Sequence, residues 1–157
     1  MNQIFEKSLY ALFAIVIVSC ATVAPMLPSE GDLQWTTFHS NRMGFTIDIP
    51  NDFLVQEYDG DIFFRYKEYM ALRITLATPE VARGHGLWPI SPPVGDVSMA
   101  GKSAKEYIYD HYDGPIYDHF VAFVVDHRGK SLGLAFHTDQ NELNSAQQRI
   151  LNSLKLD

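Results

Sequence analysis

The chain has 157 residues and a formal net charge of −7, with 46% hydrophobic and 20% charged residues. That length suits one domain with a real core, and the composition is that of an ordinary globular protein. The negative charge argues against nucleic acid, whose phosphates need basic partners, and against electrostatic docking on anionic lipid.

Lys7 and the terminal amine stand against Glu6, ahead of Leu9–Val18, a run that is apolar except for Tyr10. The run has the length of a signal-peptide core and is too short to span a bilayer, which takes about 20 apolar residues. A retained anchor reaching Met26 would have to include Ser19, Cys20, Thr22 and Pro25, so that reading ranks second. Cys20, the only cysteine, closes the segment. With Ile17-Val18-Ser19 before it, it resembles the lipobox of bacterial lipoproteins. The resemblance implies a signal peptide over 1–19, a diacylglycerol on the Cys20 thiol, and cleavage that makes Cys20 the first residue. The alternatives are a chance cysteine in an apolar leader and a cut after Ala24, which Pro25 disfavours. No second cysteine exists to form a disulfide. Pro25, Pro28, Ser29 and Gly31 make residues 20–33 read as a flexible tether, holding a domain about 20 Å from the membrane. In lipoproteins the residue after the cysteine influences sorting. Ala21 is not the aspartate that usually retains them, so the implied location is exported and lipid-anchored, at the outer membrane or periplasmic face of a Gram-negative host.

Residues 34–157 read as a single domain. Trp35–His39 alternates weakly and starts the sheet. Asn41-Arg42-Met43-Gly44 is a turn, and Phe45, Ile47 and Ile49 then alternate with Thr46 and Asp48, a half-buried strand ended by Pro50. Asn51–Gln56 reads as one helical turn or a loop, and Asp59-Gly60 as a turn. Ile62–Tyr66 and Ala71–Thr78 are the next strands. In the second, Leu72, Ile74 and Leu76 point one way and Arg73 and Thr75 the other. Pro79–Asp96 breaks the pattern with three glycines and four prolines. A connection of this length is often functional. Its Leu87-Trp88-Pro89-Ile90 tip would bind a partner if exposed, with Trp88 as the contact. The competing and favoured reading folds Trp88 back onto the sheet edge.

Ser103–Tyr112 reads as a strand, and Asp113-Gly114 as a two-residue hairpin turn. The best-supported element follows, two strands over Pro115–Thr138 joined at Asp126-His127-Arg128-Gly129-Lys130. Asp with Gly three residues later predicts a type I turn and a left-handed residue. That loop pairs Asp126 with Lys130, Val124 with Leu132, Ala122 with Leu134 and Phe120 with Phe136. Asn141–Leu154 carries Leu143, Ala146, Ile150, Leu151 and Leu154 at helical spacing, with Asp139 and Glu142 at capping-box spacing. The helix is expected to cover the Phe120/Leu134/Phe136 face.

The order of these elements resembles the PsbP-like α/β domains of small bacterial lipoproteins. The resemblance rests on Gly44-Phe45-Thr46-Ile47-Asp48-Ile49-Pro50, Met99-Ala100-Gly101-Lys102-Ser103-Ala104, the hairpin, and Ile150-Leu151-Asn152-Ser153-Leu154. It spans about Trp35–Leu156 and implies an antiparallel sheet flanked by helices, no shared catalytic residues, and accessory or partner-binding roles. The proline- and glycine-rich stretch after Thr78 departs from the pattern.

Catalytic motifs are few. Gly101-Lys102-Ser103 is not a phosphate loop, because Asp96 occupies the required glycine position and a strand, not a helix, follows. Neither a Gly-x-Ser-x-Gly elbow nor a His-Glu-x-x-His motif occurs. The hairpin register sets His119 opposite His137, with Glu106 and Asp110 as diagonal neighbours. Two imidazoles and a carboxylate are zinc or copper ligands, although a one-residue slip would separate the pair. Tyr107, Tyr109, Tyr112 and Tyr117 suit an interface, or simply pack a twisted sheet.

The expected fold is therefore α+β, a single antiparallel sheet with a C-terminal helix on one face. The expected role is that of a lipid-anchored envelope protein with no cofactor: a non-enzymatic, partner-binding or accessory subunit attached to the membrane by its N-terminal lipid. The alternative is an envelope metal- or small-ligand-binding protein using the His119/His137 face.

Overall fold

The computed structural model describes residues 27–78, 92–113 and 116–157. These form a short 3-10 helix (Glu30–Asp32), ten strands and one α-helix: β1 (Trp35–Ser40), β2 (Phe45–Pro50), β3 (Phe53–Tyr58), β4 (Asp61–Tyr66), β5 (Tyr69–Ala77), β6 (Gly95–Met99), β7 (Lys102–Asp113), β8 (Ile116–His127), β9 (Lys130–His137), α1 (Ser145–Ser153) and β10 (Lys155–Leu156). The strands make two sheets rather than the single one expected. One is three-stranded, in the order β1-β2-β10, and the other seven-stranded, in the order β3-β4-β5-β9-β8-β7-β6. The protein is mostly β-sheet.

The two layers meet across an apolar core. Alternation in β2 buries Phe45, Ile47 and Ile49, and these join Ile62 and Phe64 of β4, Leu72 and Ile74 of β5, and Leu132, Leu134 and Phe136 of β9 in one cluster. Phe38 of β1 meets Phe64 edge-on, with ring centroids 5.3 Å apart, an arrangement that aromatic quadrupoles favour. The helix buries Ala146 and Ile150, followed by Leu154, in the same cluster. Its last turn is tied to β2, since Ser153 Oγ accepts from the Asp48 N–H at 2.8 Å.

The N-terminal start of the helix differs from the reading of the sequence. Asn144, not Asp139, is the cap. Its Oδ1 accepts from the Gln147 N–H at 2.9 Å, and Gln147 Oε1 accepts from the Asn144 N–H at 3.0 Å. A short amide side chain bonds its own backbone in this way and starts the helix after it. Residues 27–33 also belong to the folded unit. Leu27 and Leu33 are buried, Asn144 Nδ2 donates to the Leu27 carbonyl at 3.1 Å, and Arg149 pairs with Glu30 at 3.1 Å. The Arg149 guanidinium also stands 4.1 Å from the Trp35 ring centroid. The end of the segment read as tether is thus fixed to the fold at Leu27, Glu30 and Leu33.

Three strands differ from expectation. Asn51–Gln56, read as a helical turn or loop, runs into β3 (Phe53–Tyr58), because the Asp59-Gly60 turn folds that strand back onto β4 with Phe53 against Tyr66 and Tyr58 against Asp61. Gly95–Met99, whose first two residues fall in the stretch read as a loop, pairs with β7 as an edge strand. Lys155–Leu156 adds to β2.

The central hairpin is real but its register is shifted by one residue. His127 pairs with Lys130, Val125 with Leu132, Phe123 with Leu134 and Val121 with Phe136. The loop is the two residues Arg128 and Gly129, at φ 51° and 72°. Two consecutive left-handed residues are the mark of a type I′ turn, whose twist matches that of the strands. The Arg128 guanidinium lies over Gly44, where an added Cβ would meet it, and Arg128 itself takes a left-handed conformation that arginine seldom adopts. The slip turns Phe120 and Ala122 away from the helix layer and brings Val121, Phe123 and Val125 into the core.

Candidate functional site

The shifted register decides the fate of the histidine pair. Phe120, not His119, stands opposite His137. Neighbouring residues of a strand point to opposite faces, so His119 lies on the inner face, which carries the core, and His137 on the outer. The two-histidine face does not form. Among the described residues no group of three or more His, Cys, Asp or Glu is placed to hold a metal ion. Cys20 and Trp88 lie outside the described residues.

Each histidine has a carboxylate of its own. The β7–β8 pairing sets Asp110 directly opposite His119, two residues from the expected register. His119 Nδ1 is 2.6 Å from Asp110 Oδ1, which also accepts the Tyr117 hydroxyl at 2.9 Å. These hydrogen bonds, that of His119 first, hold the Asp110 carboxyl below the usual aspartate range. On the other face His137 Nε2 lies 3.1 Å from Asp118 Oδ1. Both pairs sit at the same end of the sheet and tie neighbouring strands together.

The outer face carries more than these pairs. Phe120 is buried there between the rings of Tyr109, stacked at 5.2 Å, and His137, at 5.5 Å. Burial pushes the Tyr109 hydroxyl up to about 12, against the opposing charge of Arg73. Arg73 itself is only 5% exposed. Its Nε and Nη2 each donate to Asp61 Oδ1 at 2.9 Å, and the Thr75 hydroxyl donates to the same oxygen at 2.5 Å. The guanidinium stands 5.1 Å from the Phe63 ring centroid, a cation–π contact strengthened by exclusion of water.

Beside Arg73 the sheet is hollowed. A concavity of about 590 Å³ is lined by Gln56 and Tyr58 of β3, Asp61, Phe63 and Arg65 of β4, and Met70 of β5. Tyr58 meets Phe63 edge-on at 5.5 Å and is 56% exposed. A β-bulge shapes the rim. Phe64 pairs with Leu72 but Arg65 with Met70, which leaves Ala71 as the extra residue and turns Met70 to the outer face. An aromatic wall with a few placed polar groups is the general form of a ligand site.

Sequence reasoning put Arg73 and Thr75 on the right face but did not single out this site. One signal was available: Ile62-Phe63-Phe64 is apolar at three successive positions, so both faces of β4 carry an apolar group. The ion pair was not available, because it depends on the β4–β5 register.

No protein-family model matches the chain, and no curated protein matches it. Solved structures do. A protein of Bacteroides thetaiotaomicron VPI-5482, known from a crystal structure, superposes with a TM-score of 0.56 at 11% identity over 80% of this chain and 49% of its own. The solution structure of cyanobacterial PsbP (CyanoP) from Synechocystis sp. PCC 6803 superposes with a TM-score of 0.53 at 13% identity over 85% of this chain and 98% of its own. The fold is PsbP-like. The PsbP-like sheet accounts for where the candidate site lies, since the helix layer occupies one face and the hollow is on the other. This chain spans about half the length of the Bacteroides protein, and at these identities the likeness is one of fold alone.

Proposed function

We propose that the protein is a lipid-anchored envelope protein, attached through Cys20, that binds a partner through the outer face of its larger sheet. The observation that carries the reading is the hollow over β3, β4 and β5, whose exposed Tyr58, edge-on to Phe63, offers an aromatic anchor. The lipobox resemblance at Cys20 supports the membrane location. The anchor is tested by fatty-acid labelling of wild type against Cys20→Ser, with label in the first and none in the second. Loss of neither label nor membrane association in the variant overturns the anchor. Partner binding is tested in membranes with a photo-crosslinking amino acid at position 58, against the same probe at position 117 near the far end of the sheet. A discrete adduct at 58 and none at 117 is expected. Equal yields at the two positions, or none at 58, overturn the site.

A further inference from the structure

β3 is an open edge of the larger sheet. It ends the order β3-β4-β5-β9-β8-β7-β6, and no backbone hydrogen bond reaches its far side among the described residues. A free edge is a template for another strand, and proteins guard it with bulges, charges, proline or a weak strand. The opposite edge, β6, is guarded in this way: it opens on Gly95 and carries the exposed Asp96, paired with Lys105. β3 is regular. Its residues Phe53-Leu54-Val55-Gln56-Glu57-Tyr58 include no lysine, proline or glycine and pair with β4 without a register shift. Its one acid, Glu57, is taken up by Arg42 at 3.7 Å. Leu54 and Tyr58 are each 56% exposed, and with Gln56 between them they share the outer face.

The sequence of β3 selects its own occupant. Laid antiparallel on a copy of itself about a two-fold axis at Gln56, the strand sets Leu54 against Tyr58 on both sides of the axis. Val55 then faces Glu57, and no two like charges stand opposite. The neighbouring registers do worse. An axis at Val55 sets Tyr58 against Asp52 and Leu54 against Gln56. An axis at Glu57 sets that acid against its own copy, which is unfavourable. The Gln56 register also lays Asp59 of one copy beside Phe53 of the other. Next to Phe53 is Leu54, whose partner on β4 is Arg65. Asp59 is exposed and meets Arg42 only at 3.7 Å. Arg65 is exposed and makes no ion pair among the described residues. Each copy thus brings an acid toward the other's Arg65.

We infer that the protein pairs with a second copy of itself along β3, about a two-fold axis at Gln56, joining two seven-stranded sheets into one. The interface is isologous, the same strand on both sides. Exposed Leu54 and Tyr58 of each copy are covered by those of the other. The two hollows, each lined by Gln56 and Tyr58, meet across the seam. A seam one strand wide is narrow, and anchoring on one membrane raises the concentration at which two copies meet. This inference rests on the partner-binding reading above and names the partner.

The test uses the full chain in membranes, with the photo-crosslinking amino acid at position 58. The expected adduct has twice the mass of the chain, and its peptide map joins position 58 to residues 53–55 of the second copy. The same probe at the exposed Ser98 of β6 is expected to give none. The register is read by charge exchange at the axis, in co-expressed copies with different tags. Gln56→Lys in both copies, or Gln56→Glu in both, sets like charges opposite and is expected to lower the yield of doubly tagged adduct about fivefold. Gln56→Lys in one copy with Gln56→Glu in the other is expected to restore it, which also shows that both variants fold. An adduct of twice the mass that maps elsewhere, an equal yield at position 98, or a mixed pair no better than the like pairs overturns the inference. A discrete adduct at 58 with a different protein overturns the second copy and keeps the partner reading. No adduct at 58 removes both.

Discussion

The two faces of the seven-stranded sheet come from the same alternating strands and are built on different physics. The inner face is apolar throughout its centre, with Phe64, Ile74, Leu134 and Phe136 closed over by β2 and α1. Its stability is distributed over many dispersion contacts and excluded water. The outer face buries Arg73, Thr75 and Ser131 along with Phe120 and Ala122, and relies on an ion pair and stacked rings. A loss on the inner face is a cavity, felt in proportion to its volume. A loss on the outer face strands a charge, and its size depends on which partner is removed.

Two substitutions separate these cases. Phe64→Ala removes a fully buried ring that touches Phe38 and Phe53, and is expected to cost about 4 kcal/mol in urea unfolding. Asp61→Ala deletes far less volume, yet leaves the Arg73 charge buried without its acid, for about 3 kcal/mol. The decisive measurement is the double variant Asp61→Ala with Arg73→Met. Removing the stranded charge should recover most of that loss, whereas no second change of that kind can refill the Phe64 cavity. Additive losses in the double variant would mean that the outer face is held by packing, as the inner face is, and the contrast would fail.

What the sequence made legible follows the same division. Period-two alternation placed Phe45/Ile47/Ile49 and Leu72/Ile74 toward the core because burying apolar groups is a local property of each strand. The helix stripe was legible for the same reason, and Ala146, Ile150 and Leu154 are buried as it implied. Register was not legible. The turn residues Asp126 and Gly129 fit a longer loop as well as the observed two-residue turn at Arg128 and Gly129, which sets the Arg128 guanidinium over Gly44 across the fold. That one-residue slip moved Phe120 to the outer face and parted His119 from His137, so the predicted site was lost with the predicted register. The outer-face hollow was hidden for a related reason: Asp61, Arg73 and Thr75 meet only through pairing between strands, and the bulge at Ala71 has no signature in composition. Faces can be read from one strand at a time, but sites made between strands need the register.

Two adjacent residues of β7 carry the comparison into pH. Tyr109 points to the outer face and Asp110 to the inner, and their shifts act at opposite ends of the scale. Burial raises Tyr109 from the ordinary 10.0 to about 12, so the native state holds its proton more tightly than the unfolded chain. Its contribution is complete below pH 10 and is lost as the pH rises toward 12. A tyrosinate absorbance titration of wild type should therefore end with a late-ionising group that is missing in Tyr109→Phe, and the variant should lose less stability across that alkaline window. Asp110 is lowered from 3.8 by His119 and then Tyr117, so the native state releases its proton more easily. Its contribution is complete above the ordinary aspartate value and is lost as the pH falls below it, through the lowered native value. Asp110→Asn should flatten that acid limb; because the Asp110 carboxylate also raises the Tyr117 hydroxyl that donates to it, the variant should let Tyr117 ionise earlier while the late Tyr109 ionisation stays in place. Because Asp110 is exposed, the effect is the smallest of the set, and raising the salt should shrink it while leaving the Tyr109 effect in place. If Asp110→Asn moved the late Tyr109 ionisation itself, the two residues would share one environment, and the faces would not be electrostatically separate.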